Sequence, residues 1–332
     1  MATALPLVGN RDVQARMVQV ADGGRLHHAC LFEGPEGVGK RTFALWLARY
    51  VNCEAATRPC GSCRSCTLLL AGTHPDLIVI GPDPERATAV ISVQQAQELL
   101  GTLKLQRHSA RHRFVILDPA DLLNDESANT LLKTLEEPPA GTHFFLITAR
   151  VASLLPTIRS RTQRIRFGPV GRAAMADWGQ GRGLDATILA AAAGSPGLAL
   201  RLAAGEAETR ATLRAAVLGA IGQPLGKLFA FTEAEGKRDG GVNHAALAVD
   251  VVEELLRDTV YAANGKEPSG ADPDANEQLR AWSAALWPGG NARMSQAVAV
   301  ARDRLHLNVN GRVVLEALLA QLNLELSAAT PR

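Results

Sequence analysis

One stretch limits this chain more than any other. The apolar run Ala29 to Glu33 is followed by Gly34-Pro35-Glu36-Gly37-Val38-Gly39-Lys40 and then by a helical pattern. Gly34, Gly39 and Lys40 satisfy G-x-x-x-x-G-K, and the setting between a strand and a helix predicts a phosphate-binding loop. Glycines let consecutive backbone N–H groups converge on phosphate oxygens, the helix N-terminus adds partial positive charge, and Lys40 reaches the terminal phosphates. A loop of this kind commits the surrounding chain to an α/β domain with a largely parallel sheet.

The neighbouring segments agree. Apolar or β-branched runs predict strands at Ala29 to Glu33, Leu77 to Ile80, Phe114 to Asp118, His143 to Thr148 and Gln163 to Phe167. Between them Phe43, Leu47, Tyr50 and Val51 share one helical stripe, and Ala128, Leu131, Leu132 and Leu135 another. Asn124 or Asp125 is placed to cap the second helix, which Pro138 ends. Strand signals stop after Phe167. Short helices joined by Gly-rich turns follow, and from Glu206 the pattern is helical to the end, around a polar loop at 263–278. These shifts divide the chain into a P-loop domain at 1–167, a small helical domain at 168–205 and a helical domain at 206–332.

Phosphate binding and hydrolysis ask for different groups. A hydroxyl after the Lys normally ligates Mg²⁺, and an acid ending a second strand helps to hold the metal. Arg41 occupies the first position; Thr42, one residue on, points about 100° away round the helix. Asp118 supplies the second, as a Walker-B-like acid. The next position, where a Glu would orient water, is Pro119. Gly34, Pro35, Gly37, Gly39, Lys40, Arg41 and Thr42 therefore form a degenerate loop. It is expected to hold ATP or ADP weakly or not at all, and not to turn it over.

Cys53, Cys60, Cys63 and Cys66 follow as C-x6-C-x2-C-x2-C, inside a module spanning about 53–72. Four thiolates on such short loops close a tetrahedron around Zn²⁺ and leave no position for catalytic water, so the metal is expected to be structural. Disulfides are the competing pairing, and an odd total of five cysteines with two successive x2 spacings counts against them.

A net charge of +2 in 332 residues excludes a binder that coats phosphates everywhere. It leaves local patches such as 107–113, "RHSARHR", whose ordinary reading is a solvated turn and whose functional one is DNA contact. Only 4% of residues are aromatic, against a stacking platform for single strands. Trp282 and Trp287 are expected to pack helices. The start of the chain shows no secretory pattern and no window suits a bilayer span, so a cytoplasmic location is expected.

Three stretches, "RLHHACLFEGPEGVGKRTFA", "SANTLLKTLEEPPAGTHFFLIT" and "LLPTIRSR", with the cysteine insert after the first, resemble the clamp-loader subunits of bacterial DNA polymerase III. The resemblance implies an AAA+ nucleotide-binding domain carrying the zinc module, a helical lid and an all-α collar. It also implies a hetero-pentamer with gamma/tau-type motor subunits and a delta subunit, which places a sliding clamp on primer-template DNA. Ser160 and Arg161 match the family's Ser-Arg-Cys motif, with Thr162 in place of Cys, and imply an arginine finger aimed at a neighbour's ATP. Thr148 falls on the first sensor position, and Gly197 stands where the lid of a motor subunit carries a sensor arginine. A non-hydrolysing subunit acting in trans is the expected function. An active motor subunit is the alternative, favoured by Lys40 and Asp118.

Overall fold

The computed structural model describes residues 8–328, apart from 84–88, 109, 222, 224–225, 227, 229–231, 234–237, 240–241, 267–272, 287–288 and 307–308. The chain forms two compact units, residues 1–200 and 201–332.

In the first unit α1 (Arg11–Asp22), β1 (Ala29–Glu33), α2 (Lys40–Asn52), α3 (Arg64–Ala71) and β2 (Leu77–Ile80) are followed by α4 (Val93–Leu103), β3 (Arg113–Leu117) and α5 (Asp125–Glu136). Then come β4 (Thr142–Thr148), α6 (Pro156–Arg159), β5 (Gln163–Arg166), α7 (Arg172–Gln180), α8 (Ala186–Ala191) and α9 (Pro196–Arg201). The strands make one parallel sheet in the order β2-β3-β4-β1-β5, with Leu31 opposite both Leu146 and Arg164. The expected strands are all present, with bounds at β3, β4 and β5 displaced by one residue.

Side chains alternate across the sheet with period two, so each strand feeds two cores. Phe32, Phe114, Ile116 and Phe145 join Phe43 and Leu47 of α2 on one face. Leu31, Val115, Phe144 and Leu146 join Leu99 of α4 and Leu131 and Leu135 of α5 on the other. Asn124 caps α5 by accepting from the Ser127 N–H at 2.8 Å. The central position of β1 between β4 and β5 fixes the loop that follows it at the C-terminal end of the sheet, where parallel sheets bind ligands.

Charged residues are drawn in at the opposite end. Arg113 and Asp76 form a buried pair, Nη2 to Oδ1 at 3.5 Å, and the backbone N–H groups of His108 and Ala110 donate to the same carboxylate. The basic run 107–113 thus wraps round a buried acid, and its Ser109 lies outside the described residues. Nearby, His143 Nδ1–H donates to the His27 carbonyl at 3.3 Å, which leaves Nε2 to accept from His112 Nδ1 at 2.9 Å. Burial, with smaller contributions from neighbouring imidazoles, pushes His143 from 6.5 down to about 4, against the carbonyl of His27. An imidazole whose pKa is depressed on folding takes up its proton first in the unfolded chain. Stability is therefore expected to be intact above pH 6.5 and to fall towards pH 4. The slope reaches at most about 1.4 kcal/mol per pH unit for one such group. Urea midpoints at pH 7, 6 and 5 test this: His143→Gln should flatten the decline, and an equal decline in both chains would refute it.

The second unit is helical. Its core joins Leu213 and Val217 of Ala207–Ala220 to Val252 and Leu255 of His244–Ala263, Leu279 and Trp282 of Pro273–Leu286, Val298 of Gly289–His306, and Leu315 and Leu322 of Gly311–Ala328. Trp282 packs as expected, and Trp287 lies outside the described residues. Two differences from the expectation are local. Arg238–Asp239 and Val242–Asn243 form a two-strand ladder, and the helix at Pro273 starts inside the stretch assigned to a loop, with Pro at its favoured first position. Among the described residues no helix is long and apolar enough to cross a membrane.

Candidate functional site

The loop after β1 opens α2 at Gly39, whose φ of 98° only glycine adopts without strain. Gly34 and Gly37 are glycines for a second reason. A Cβ on Gly34 would lie 2.0 Å from the Phe167 carbonyl oxygen, and one on Gly37 would lie 2.3 Å from Ser195 Oγ. The loop is thus pressed from the side by the chain leaving β5 and by the residues that open α9. Ser195 Oγ donates to the Glu36 carbonyl at 3.0 Å, and the Gly197 N–H donates to the Gly37 carbonyl at 2.9 Å. A side chain at Gly197 would meet Gly37 Cα at 2.8 Å, so position 197 is held to glycine by contact.

Within the loop, the cation turns inward. Lys40 is 6% exposed, and its Nζ donates to the Gly34 and Pro35 carbonyls, both at 2.7 Å. Desolvation lowers its pKa, against the pull of Asp118, Glu36 and Asp121. Arg41 Nη1 lies 3.3 Å from Asp118 Oδ2, with Arg41 56% and Asp118 18% exposed. The residue after the loop lysine thus reaches the acid that follows β3. Burial raises the Asp118 pKa, while Arg41 and Lys40 oppose the rise. Thr42 follows in α2, about 100° further round the helix than Arg41.

Thr148, ending β4, is fully buried and donates to Asp121 Oδ1 at 2.6 Å. Asp121 is held on its other oxygen by Arg150 Nε at 3.1 Å. Asp121, whose charge also acts on Lys40 and Asp118, is a residue that sequence reasoning missed; its signal was the second acid of "LDPAD", three residues after Asp118.

Ser160 and Arg161 follow α6 on the way into β5. Arg161 Nε donates to Glu136 Oε1 at 2.5 Å and its Nη1 to the Thr157 carbonyl at 2.9 Å, with the Arg161 side chain 30% exposed. Ser160 Oγ also donates to Thr157, at 3.1 Å. The ion pair joins two of the diagnostic stretches, "KTLEEPP" and "IRSR", across the 25 residues that separate them.

The four cysteines converge. Their sulfur atoms all lie within 4.8 Å of one another, and none is in a disulfide. Tetrahedral Zn–S bonds of ~2.3 Å need sulfurs about 3.8 Å apart, so the donor set fits the ion by type, number and spacing. Cys53 caps the C-terminus of α2, and Cys63 caps the N-terminus of α3. Sulfurs of Cys53, Cys60 and Cys63 accept from the N–H groups of Cys60, Cys63 and Cys66 at 3.3, 3.3 and 3.4 Å. The N–H of Cys63 is the main cause that brings Cys60 down to about 6, whereas burial pushes Cys66 up to about 12.

The family model described as "DNA polymerase III, delta subunit" matches residues 9–171. The DNA polymerase III subunit delta' of Bacillus subtilis is 31% identical over 305 residues, which span 90% of this chain and 91% of that protein. The chain belongs to the delta-prime family of DNA polymerase III clamp-loader subunits. The delta-prime protein of Pseudomonas aeruginosa is 41% identical over 160 residues, and there the chain spans about half of its relative, 48%. DNA polymerase III subunit gamma/tau of Mycobacterium tuberculosis is 30% identical over 355 residues, covering 97% of this chain and 61% of that one. The delta-prime chain thus carries the AAA+ α/β domain with its cysteine cluster and a helical C-terminal unit.

Proposed function

We propose that this chain is a clamp-loader subunit that does not hydrolyse ATP itself and completes the ATPase site of a gamma/tau-type neighbour. The observation that carries the first half is the pairing of Arg41 with Asp118 beside a Lys40 that donates to its own loop. A guanidinium on the acid supplies the positive charge that Mg²⁺ would bring, without its coordination chemistry. Ser195 and Gly197 add contacts from the lid side. For the second half, Arg161 is the candidate finger, with Ser160 beside it. A guanidinium in trans stabilises charge on the transferring phosphoryl group.

Around this chemistry, residues 168–205 serve as the lid, and 206–332 join a collar with the motor subunits and a delta subunit in a hetero-pentamer. The assembly loads a sliding clamp on primed DNA. Cys53, Cys60, Cys63 and Cys66 hold a structural Zn²⁺. The chain works in the cytoplasm.

Steady-state ATP turnover of the purified chain, with and without primed DNA and with Lys40→Ala as the blank, tests the reading. Turnover equal to the blank is the expected result. Clear turnover above it would hand the lead to the motor-subunit alternative, which the retained Lys40 and Asp118 and the similarity to gamma/tau favour.

A further inference from the structure

The parallel sheet of the first unit ends at β5, which pairs with β1 and has no strand on its other side. In a parallel ladder the N–H and C=O of one residue point the same way, and the Phe167 N–H reaches the Glu33 carbonyl, so Ile165, two residues earlier, also turns its backbone towards β1. The N–H and C=O groups of Arg164 and Arg166 point outward, and no hydrogen bond among the described residues takes them up. Such an edge is a template for another strand. A cavity of about 440 Å³ lies along it, lined by Arg164 and Arg166 of β5 and by Asp12, Val13 and Arg16 of α1. Gln163 and Ile165, whose backbone turns inward, do not line it.

The two sides of this slot differ in chemistry. The side chains of Arg164 and Arg166 share the sheet face of Leu31 and Glu33, while Ile165 shares the other face with Val13 and Met17 of α1. Glu33 receives Arg164 Nε at 2.7 Å and Arg166 Nε at 2.6 Å, and leaves the Arg166 side chain 79% exposed. Arg16 is exposed and has no ion pair among the described residues. Three guanidinium groups against the carboxylates of Asp12 and Glu33 leave the slot positive. A second copy of the same edge is disfavoured, because its arginines would face these. Outward carbonyl oxygens interleave with the N–H groups, which disfavours a phosphate backbone and suits a peptide. We propose that the free edge of β5 takes up an extended acidic segment of another protein as a sixth strand, with carboxylates at alternate positions beside Arg164 and Arg166 and apolar residues towards Val13. The slot uses none of the residues assigned above to nucleotide or zinc.

The test titrates the full-length chain with a fluorescein-labelled hexapeptide, TEVEVE, and with TKVKVK as its charge-reversed control. Saturable binding of TEVEVE is expected, about 10-fold or more tighter than that of TKVKVK, since opposite charges across a strand pair attract and like charges repel. At saturation, amide exchange at Arg164 and Arg166 should slow by about 10-fold or more, while Ile165, already in the ladder, stays unchanged. Arg166→Val removes the charge and keeps the N–H; Arg166→Pro, which an edge strand accepts, removes both. The Pro variant should bind about 5-fold more weakly than the Val variant, the effect of one hydrogen bond. Equal binding by the two variants, or displacement of the peptide by an oligothymidylate of equal charge, would make the slot a general anion site and overturn the proposal. No saturable binding at millimolar peptide would overturn it as well, leaving the arginines as protection of the edge. The exchange measurement uses the parent chain and decides the matter even where the Pro variant fails to fold.

Discussion

Arg161→Ala is expected to lower the ATPase rate of a complex with gamma/tau-type subunits by on the order of 10³-fold per completed site. Nucleotide affinity of the partner and assembly of the complex should be nearly unchanged. The split follows from where the charge acts: a finger meets the phosphoryl group as charge develops in the transition state, so its loss falls on rate rather than on binding. In the proposed role Arg161 would have to leave a partner on its own chain. Arg161 is paired with Glu136 on its own chain, but both side chains are partly exposed, 30% and 46%. An exposed pair of this kind is worth about 0–1 kcal/mol. A stabilisation of three orders of magnitude corresponds to about 4 kcal/mol, so exchange of Glu136 for a neighbour's phosphate is favourable by a wide margin. Arg161→Lys should restore little, because the planar fork and not the charge alone matches phosphate oxygens. Single-turnover hydrolysis with verified assembly decides the matter. An unchanged rate in the Arg161→Ala complex would leave Arg161 as a surface cation.

The sequence was most legible where a local pattern carries the physics. Apolar or β-branched runs set the five strands, and cysteine spacing set a cluster whose sulfurs do meet. Single positions could be judged one at a time: Arg41 lacks a hydroxyl and Gly197 lacks a side chain. Partnerships across long separations were not legible. Nothing local to Arg113 marks it as buried; Asp76, 37 residues earlier, draws it in together with the turn that precedes it. In the same way Thr148 was placed by its strand, while its acceptor Asp121 comes from the connection after β3. Arg41 and Asp118 were each weighed alone, and only the sheet, which sets β3 two strands from β1, brings them to 3.3 Å. Charged side chains choose partners through the fold, and a pattern of apolar residues carries no record of that choice.

Metal removal is expected to produce the largest structural change. Stripping zinc, or replacing a ligand by Cys66→Ser, should abolish amide protection across about 53–72 and leave the central sheet protected. The proposed ion would bear most of the order in this module. Cys53 ends α2, Cys63 begins α3, and between them run sulfur-accepting hydrogen bonds rather than an apolar core of their own. Structural zinc contributes on the order of 10 kcal/mol to modules of this kind, more than the few hydrogen bonds that would remain. Burial holds the Cys66 thiol at about 12, so loading the site displaces a proton there, and affinity falls as pH is lowered. Damage should stop at the end of α2 because Asn52 is tied independently to His112, the residue that leads into β3. Its Nδ2 donates to the His112 carbonyl at 2.9 Å, and its Oδ1 accepts from the His112 N–H at 3.0 Å. Hydrogen exchange with and without a strong chelator separates the outcomes. Protection that persists in 53–72 after the metal is gone would mean that packing of Cys66 and Leu69 on α2 suffices, and that the cluster stabilises a module already formed.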